Sequence, residues 1–284
     1  MQVLFVGIGK MGLPMARHLA AAGHAVQACD LSAARRELAR QAGLPMVHDL
    51  AAALAGASIV ISSLPDDAAL DAVSHAVAGH ATEGTLWIDT STVSPEVSRA
   101  AAARAGACGV TCLRAPVSGN NTMAERAALT VFVSGPRDAF ERCEPLFACW
   151  GPQRFWLCTG EEARVAKLAV NLLIVGTSTM LAEALALGER AGLDRQRLWD
   201  VVEASAAASP IVKAKAPALS ADDYTPTFTV EQMRKDVALI RAAAAETGVP
   251  VPVAVLAAQA LERAAAAGAG GEDYAVVIRE ARKA

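Results

Sequence analysis

Apolar positions along this chain recur with two periods, and the change comes near residue 159. Up to about residue 158, short β-branched or apolar runs alternate with amphipathic helical stretches. Gln2 to Val6 reads as a strand. A helical pattern follows with Leu13, Ala16, Leu19 and Ala20 on one side, and it stops at Gly23, where a helix-ending glycine belongs. Ala25 to Cys29 is a second strand and Met46 to His48 a short third. Asp49 then caps a small helix that ends near Gly56. Ser58 to Ser62 is a β-branched run of the buried-strand kind, followed by a helix to about Ala78. Thr85 to Ile88, Gly109 to Leu113, Leu129 to Val133 and Arg154 to Leu157 are the remaining strands. Ser94 and Pro95 open one helix by the start rules, and Pro136 to Ala148 is another. This alternation predicts an α/β fold with a mainly parallel, doubly wound sheet, whose ligands lie beyond the carboxyl ends of the strands. The loops Leu64-Pro65 and Ser91-Thr92 follow strands and belong at that edge.

From Thr159 on, only helical patterns remain. Thr159-Gly160-Glu161-Glu162 has the spacing of a capping box, with Thr159 as cap and Glu162 reaching back. The helix it opens runs without proline to Ala191 and stops at Gly192. Its segment Leu168 to Leu187 is apolar, but Lys167, Asn171 and Glu183 punctuate it and leave no charge-free run of membrane-spanning length. We expect a helix buried on most sides. Asp194 to Ala206, Ile211 to Leu219, Thr229 to Thr247, Pro252 to Ala267 and Glu272 to Lys283 also read as helices. Thr229-Val230-Glu231-Gln232 is a second capping box, and the alanine runs at 242–245 and 264–267 read as tight helix-packing surface. The expected organisation is therefore an N-terminal doubly wound domain over residues 1–159 and an all-α substrate and oligomerisation domain over 160–284, joined by a long helix.

The first candidate chemistry lies between the first strand and the first helix. Gly7-Ile8-Gly9-Lys10-Met11-Gly12 fits G-x-G-x-x-G, and the second strand ends on Asp30, eighteen residues after Gly12. Gly7 permits the tight turn, Gly9 lets a pyrophosphate approach the backbone, and Gly12 lets helix and strand pack closely. The helix N-terminus offers free N–H groups to the phosphates. A carboxylate about 20 residues beyond the glycines can hold the adenosine ribose hydroxyls. Strand, helix, second strand and acid together predict a Rossmann domain that binds NAD. NADP is less favoured, because Asp30 would repel a 2′-phosphate; Arg35 and Arg36 come too late in the chain to reverse that preference.

Composition narrows the classes. The net charge of −3 supplies no basic field for nucleic acid. No signal peptide is expected ahead of a strand that starts at Gln2, and the expected location is cytoplasmic. The six cysteines (29, 108, 112, 143, 149, 158) show no C-x-x-C pair, so buried free thiols are expected rather than disulfides or zinc. All five histidines fall between residues 18 and 80, so the helical half supplies no histidine base. Lysines, carboxylates, Tyr224 and Tyr274 remain. Lys167 lies one turn into the long apolar helix with Asn171 four residues on, on the same face. Lys235 lies mid-helix beside Asp236. A lysine starting near pKa ~10.4 is a poor base, but desolvation and a second cation would lower it. The same pattern suits a lysine that snorkels from the end of a buried helix.

At this point the chain resembles the β-hydroxyacid dehydrogenase family, the group of 3-hydroxyisobutyrate dehydrogenase and tartronate semialdehyde reductase, over essentially its whole length. The resemblance rests on Gly7 to Gly12 with Pro14-Met15-Ala16 after it, Leu64-Pro65, Asp89 to Thr92, Ala115-Pro116-Val117-Ser118-Gly119, Lys167 with Asn171, and Phe228 with Met233-Arg234-Lys235-Asp236. It implies Lys167 as catalytic acid/base, Ser118, Gly119 and the neighbouring Asn120 around the substrate carboxylate, and Asn171 as the residue that orients the substrate. It also implies cofactor contacts at Leu64, Pro65, Thr92 and Lys235. The implied activity is NAD(P)-dependent hydride transfer to or from a small β-hydroxy acid or semialdehyde. Separately, the all-α half has more apolar helix than its own core needs, at Leu172 to Leu187 and Val249 to Leu261, so a homodimer or homotetramer formed through these helices is expected, with no metal and no membrane partner. An imine or keto-acid reductase and a non-catalytic NAD(H) sensor are the alternatives. The sequence departs from the family pattern at Arg114, where an Asp is usual, and at Asn120, where a Gly is usual. It also departs at Glu161 and Ala163, where a Gly-x-Gly is usual, and at Val170. These departures surround the substrate rather than the nucleotide.

Overall fold

The computed structural model describes residues 1–283. They fall into two compact units, Met1–Lys167 and the residues from Leu168 on.

The first unit is built on one sheet of β1 (Gln2–Val6), β2 (Ala25–Cys29), β3 (Ile59–Ser62), β4 (Leu86–Asp89), β5 (Thr111–Arg114), β6 (Val117–Ser118), β7 (Thr130–Ser134) and β8 (Gln153–Cys158). The strand order is β2-β1-β3-β4-β5-β7-β6, with β8 also against β7. Strands β1 to β5 are parallel to one another. β7 runs antiparallel to β5 and β6 and parallel to β8. Helices α1 (Gly12–Ala21), α2 (Ala33–Gln41), α3 (Leu50–Gly56), α4 (Asp67–His80), α5 (Pro95–Gly106), α6 (Asn121–Glu125) and α7 (Arg137–Ala148) complete it.

Side chains of the central strands alternate between two apolar cores. Val3, Phe5, Ile59, Ile61, Leu86 and Ile88 pack with Met15 and Leu19 of α1 and Leu146 and Phe147 of α7. Leu4, Val6, Val60 and Trp87 pack with Leu54 of α3, Leu70 and Val77 of α4, and Ala101 and Ala105 of α5. Burial on both faces is why these strands read as continuous apolar runs.

Two local expectations need correction. Met46 to His48 forms no strand: one bridge, Ala28 to Met46, is all that links it to β2. The Ala115–Gly119 motif contains a two-residue strand, β6, which carries no sequence signal because two residues have no periodicity. The cysteines are all free, yet only Cys143 is buried, Cys108 is exposed and the other four are partly buried.

Helix α8 (Glu162–Arg190) starts in the first unit and continues into the second. It is followed by α9 (Arg195–Ala204), α10 (Pro210–Ser220), α11 (Val230–Thr247), α12 (Pro252–Ala264), a π-helical turn at Ala265–Ala269, a short 3-10 turn and α13 (Val277–Lys283). Among the described residues no strand follows Cys158, and the second core draws on α8 to α13 through Leu185, Trp199, Leu219, Val237, Leu261 and Ile278. The capping box at Thr229 and Gln232 is formed with both reciprocal bonds. The one expected at Thr159 is not: Glu162 reaches back to the N–H of Gly160 at 2.7 Å, and the helix starts at Glu162 itself. Helix α8 is long and apolar enough to cross a membrane by length and composition, and 44% of its most apolar stretch is buried within the chain. The expected burial on most sides is therefore not met, and a row of apolar side chains, Leu173, Met180 and Leu187, stays exposed. One alanine of each run is buried, Ala244 and Ala264, so these runs are only partly packing surface.

Candidate active site

The glycine turn leaves β1 with Gly7 at φ +93°, where an added Cβ would collide with the Ser63 carbonyl oxygen. At Gly12 a Cβ would collide with the Gly7 carbonyl oxygen, so the close approach of α1 to β1 requires glycine. Gly9 is different: a Cβ there would meet no heavy atom within 4 Å. Its backbone faces open space, and no side chain caps the N-terminus of α1 at Met11. A pyrophosphate fits such an open cradle at a helix N-terminus.

Asp30 is what holds Ile8. Its two carboxylate oxygens accept from the N–H of Ile8 at 2.8 Å and of Ser32 at 2.7 Å. A carboxylate has about four acceptor positions, so two stay available to ribose hydroxyls. Arg36, six residues after Asp30 and expected to come too late in the chain to matter much, reaches back to it. Its guanidinium folds back onto the same turn and donates to the carbonyls of Asp30 at 2.9 Å and Leu31 at 2.8 Å. An acid and a cation thus share the carboxyl end of β2.

The loops after β3 and β4 are tied together. Leu64 N donates to Ser91 Oγ at 2.9 Å, and Ser94 N donates to Asp67 Oδ1 at 2.9 Å. Leu64, Pro65 and Thr92 therefore belong to one braced edge, beyond the parallel strands. Beneath it lies Asp89, 1% exposed, which accepts from the hydroxyls of Ser62 and Ser91 and pairs with Arg164.

Ser118 closes β6 against Thr130 of β7. Gly119 follows at φ +135°, and a Cβ there would press on Leu129 Cδ2 at 2.7 Å. Asn120 caps α6, its Oδ1 accepting from Met123 N at 3.0 Å. The residue that departs from the family pattern thus has a local structural duty.

Lys167 is 8% exposed on α8. Two ion pairs fasten the turn before it. Arg164 pairs with Asp89, and Arg114 pairs with Glu161 at 2.7 Å, both partners near-buried. Arg114 and Glu161 are two of the departures from the family pattern, and they answer each other. In the second unit, Asn171 Nδ2 donates to Asp236 Oδ2 at 2.7 Å, and Lys235 Nζ lies 3.3 Å from the other Asp236 oxygen. Burial, with Asp222 as a second cause, pushes the Tyr224 phenol up to about 12, and burial also raises Tyr274, which disfavours the phenolate of either at neutral pH. Among the described residues no group of three or more His, Cys, Asp or Glu is placed to hold a metal.

Residues 2–160 match the family model described as the NAD binding domain of 6-phosphogluconate dehydrogenase. Residues 162–281 match the one described as NAD-binding of NADP-dependent 3-hydroxyisobutyrate dehydrogenase. The chain belongs to the β-hydroxyacid dehydrogenase family. It is an NAD(P)-dependent oxidoreductase of that family, with the family's fold. The chain is 31% identical over 288 residues to the NAD-dependent L-serine dehydrogenase of Pseudomonas aeruginosa, covering 97% of this chain and 96% of that one. It is 30% identical over 279 residues to the 2-(hydroxymethyl)glutarate dehydrogenase of Eubacterium barkeri, covering 97% and 93%. The solved Mycobacterium tuberculosis 3-hydroxyisobutyrate dehydrogenase with L-serine superimposes with a TM-score of 0.91 at 29% identity, covering 99% of each chain.

Proposed function

We propose that this enzyme oxidises a small β-hydroxy acid, or reduces the matching semialdehyde, with Lys167 as general acid/base and NAD as the preferred cofactor. Residues 1–159 hold the nucleotide, and residues 160–284 serve substrate binding and oligomerisation. The observation that carries the reading is a buried lysine at the head of a helix in a chain with no histidine after residue 80. A bound nicotinamide would supply the hydride acceptor. In the oxidation Lys167 Nζ takes the hydroxyl proton as hydride leaves the carbinol carbon, and the carbonyl forms between that carbon and its oxygen. Ser118 and the backbone at Gly119 and Asn120 hold the substrate carboxylate, and Asn171 orients the reacting end. Leu64, Pro65, Thr92 and Lys235 line the cofactor. Asp30 accepts the ribose hydroxyls and disfavours a 2′-phosphate.

The names of the relatives point to small hydroxy acids as the substrate class. A panel of L-serine, 3-hydroxyisobutyrate, L-threonate and 2-(hydroxymethyl)glutarate with NAD and NADP, read as reduced cofactor formed, tests the reading. Turnover of at least one is expected. Turnover of none, with imines reduced instead, would favour the imine-reductase alternative. Binding of NADH with no turnover of either kind would favour a sensor. The protein is proposed to be cytoplasmic and homo-oligomeric, a homodimer or homotetramer joined through its helices.

A further inference from the structure

We infer that Arg164 is a positioning residue for proton transfer, which locks the helix turn carrying Lys167 onto the two loops proposed to receive the cofactor. The inference rests on the reading of Lys167 as acid/base. Arg164 is the third residue of α8, between Ala163 and Val165, and it is 2% exposed. A buried ion pair is weak support for stability, because a well-packed apolar side chain of similar volume serves as well or better. What a guanidinium adds is direction: a rigid planar fork of donors. Here every nitrogen is engaged. One terminal nitrogen donates to Asp89 Oδ2, the other to the Ser91 carbonyl, and Nε donates to Ser98 Oγ at 3.2 Å.

The fork continues into the loops. Asp89 Oδ1 accepts from Ser91 Oγ at 2.7 Å, and Ser91 Oγ accepts in turn from Leu64 N at 2.9 Å. The Ser62 hydroxyl donates to the same carboxylate oxygen and is itself held by Trp87 Nε1 at 2.9 Å. Arg164 therefore reads the positions of both the Ser91-Thr92 and the Leu64-Pro65 loops. It sits three residues before Lys167, on the same face of the helix. Helix rotation and rise at Arg164 set where the Lys167 side chain is carried. The Arg114–Glu161 bridge holds the same helix start independently, so losing Arg164 loosens the turn without detaching it.

A double-mutant cycle tests this, using the best substrate of the panel above. Arg164→Gln is made alone and in the Lys167→Ala background. Because Gln leaves Asp89 buried without its cation, Asp89→Asn/Arg164→Gln and the charge-retaining Arg164→Lys are measured beside it, and each is checked for cooperative melting above the assay temperature. Misplacement of a reacting group by about 1 Å can cost about 10²-fold, so Arg164→Gln and the neutralised pair are expected to lose about 10- to 100-fold in kcat while KM for NAD moves less than about threefold. Arg164→Lys is expected to restore only part of the loss. In the Lys167→Ala background, Arg164→Gln is expected to change kcat by less than about twofold, because the group it positions is gone. Equal losses in both backgrounds, or wild-type kcat in folded Arg164 variants, would overturn the inference. Wild-type kcat in Lys167→Ala alone would instead overturn the acid/base reading beneath it.

Discussion

Asn171 and Asp236, sixty-five residues apart in the chain, share a buried hydrogen bond in which Asn171 Nδ2 donates to Asp236 Oδ2 at 2.7 Å. The other Asp236 oxygen lies 3.3 Å from Lys235 Nζ. One carboxylate thus holds a residue proposed to orient substrate and another proposed to contact the cofactor. It also fixes the Asn171 amide, so that its carbonyl oxygen points away from Asp236.

Asp236→Ala removes that anchor. A buried amide left without its acceptor costs about 1–3 kcal/mol, so melting temperature and kcat/KM should both fall, the latter by about tenfold or more. Steady-state kinetics of the folded variant check this. Unchanged kcat/KM would reduce the bond to a packing detail of the helical unit.

Lys167→Ala should lose about 10²- to 10⁴-fold in kcat with NADH affinity near normal, the range typical of a general acid or base. Lys167→Arg should fail nearly as badly, because a guanidinium stays protonated at neutral pH. If Lys167 only packs, Arg is tolerated and Ala harms chiefly folding. Near wild-type kcat in a folded Lys167→Arg enzyme removes Lys167 from the mechanism.

Asp30→Ala should shift the NADP to NAD ratio of kcat/KM toward NADP by about tenfold, equal to about 1.4 kcal/mol. Part of the pull comes from Arg36, whose guanidinium already lies on the Asp30 and Leu31 carbonyls. Adding Arg36→Ala should take back part of that shift. A wild-type enzyme that prefers NADP would show that Arg36, not Asp30, decides the choice.

Alkaline stability should report on Cys112. Burial pushes its thiol up from the ordinary value of 9.0 to about 12. The folded state therefore keeps a proton that the unfolded chain releases above about pH 9. Unfolding then releases a proton, and stability falls as pH rises between those values. Urea melts should show that Cys112→Ala loses less stability than wild type between pH 8 and 10, by roughly 1 kcal/mol. Parallel losses in the two proteins would contradict this.

Leu173, Met180 and Leu187 repeat every seven residues along α8 and are 71%, 62% and 73% exposed in the single chain. Such a stripe on one helix face suits packing against a second helix, in keeping with the proposed oligomer. Sedimentation at micromolar concentration should show a dimer or larger, and Leu173→Glu/Leu187→Glu should shift it toward monomer. A wild-type protein that sediments only as monomer would remove the oligomer from the proposal.

The sequence by itself determined whatever is written within a few residues. The turn at Gly7 to Gly12, the acid at the end of β2, the parallel strands buried on both faces and the capping box at Thr229 are local consequences of backbone sterics and two-residue or 3.6-residue periodicity. Where a local signal had competitors, it failed: Met46 to His48 has strand-like residues but only one bridge to β2, and Glu162 found Gly160 rather than Thr159. Tertiary structure alone decided the pairings that support the candidate site. Asp89 meets Arg164 across 75 residues, Arg114 meets Glu161 across 47, and Asn171 meets Asp236 across 65. A side chain that pairs at long range carries no mark of that partner in its neighbours along the chain. The partner is chosen when strands and helices pack and leave each buried charge one carboxylate or guanidinium within reach, because desolvation makes any other arrangement too costly to keep.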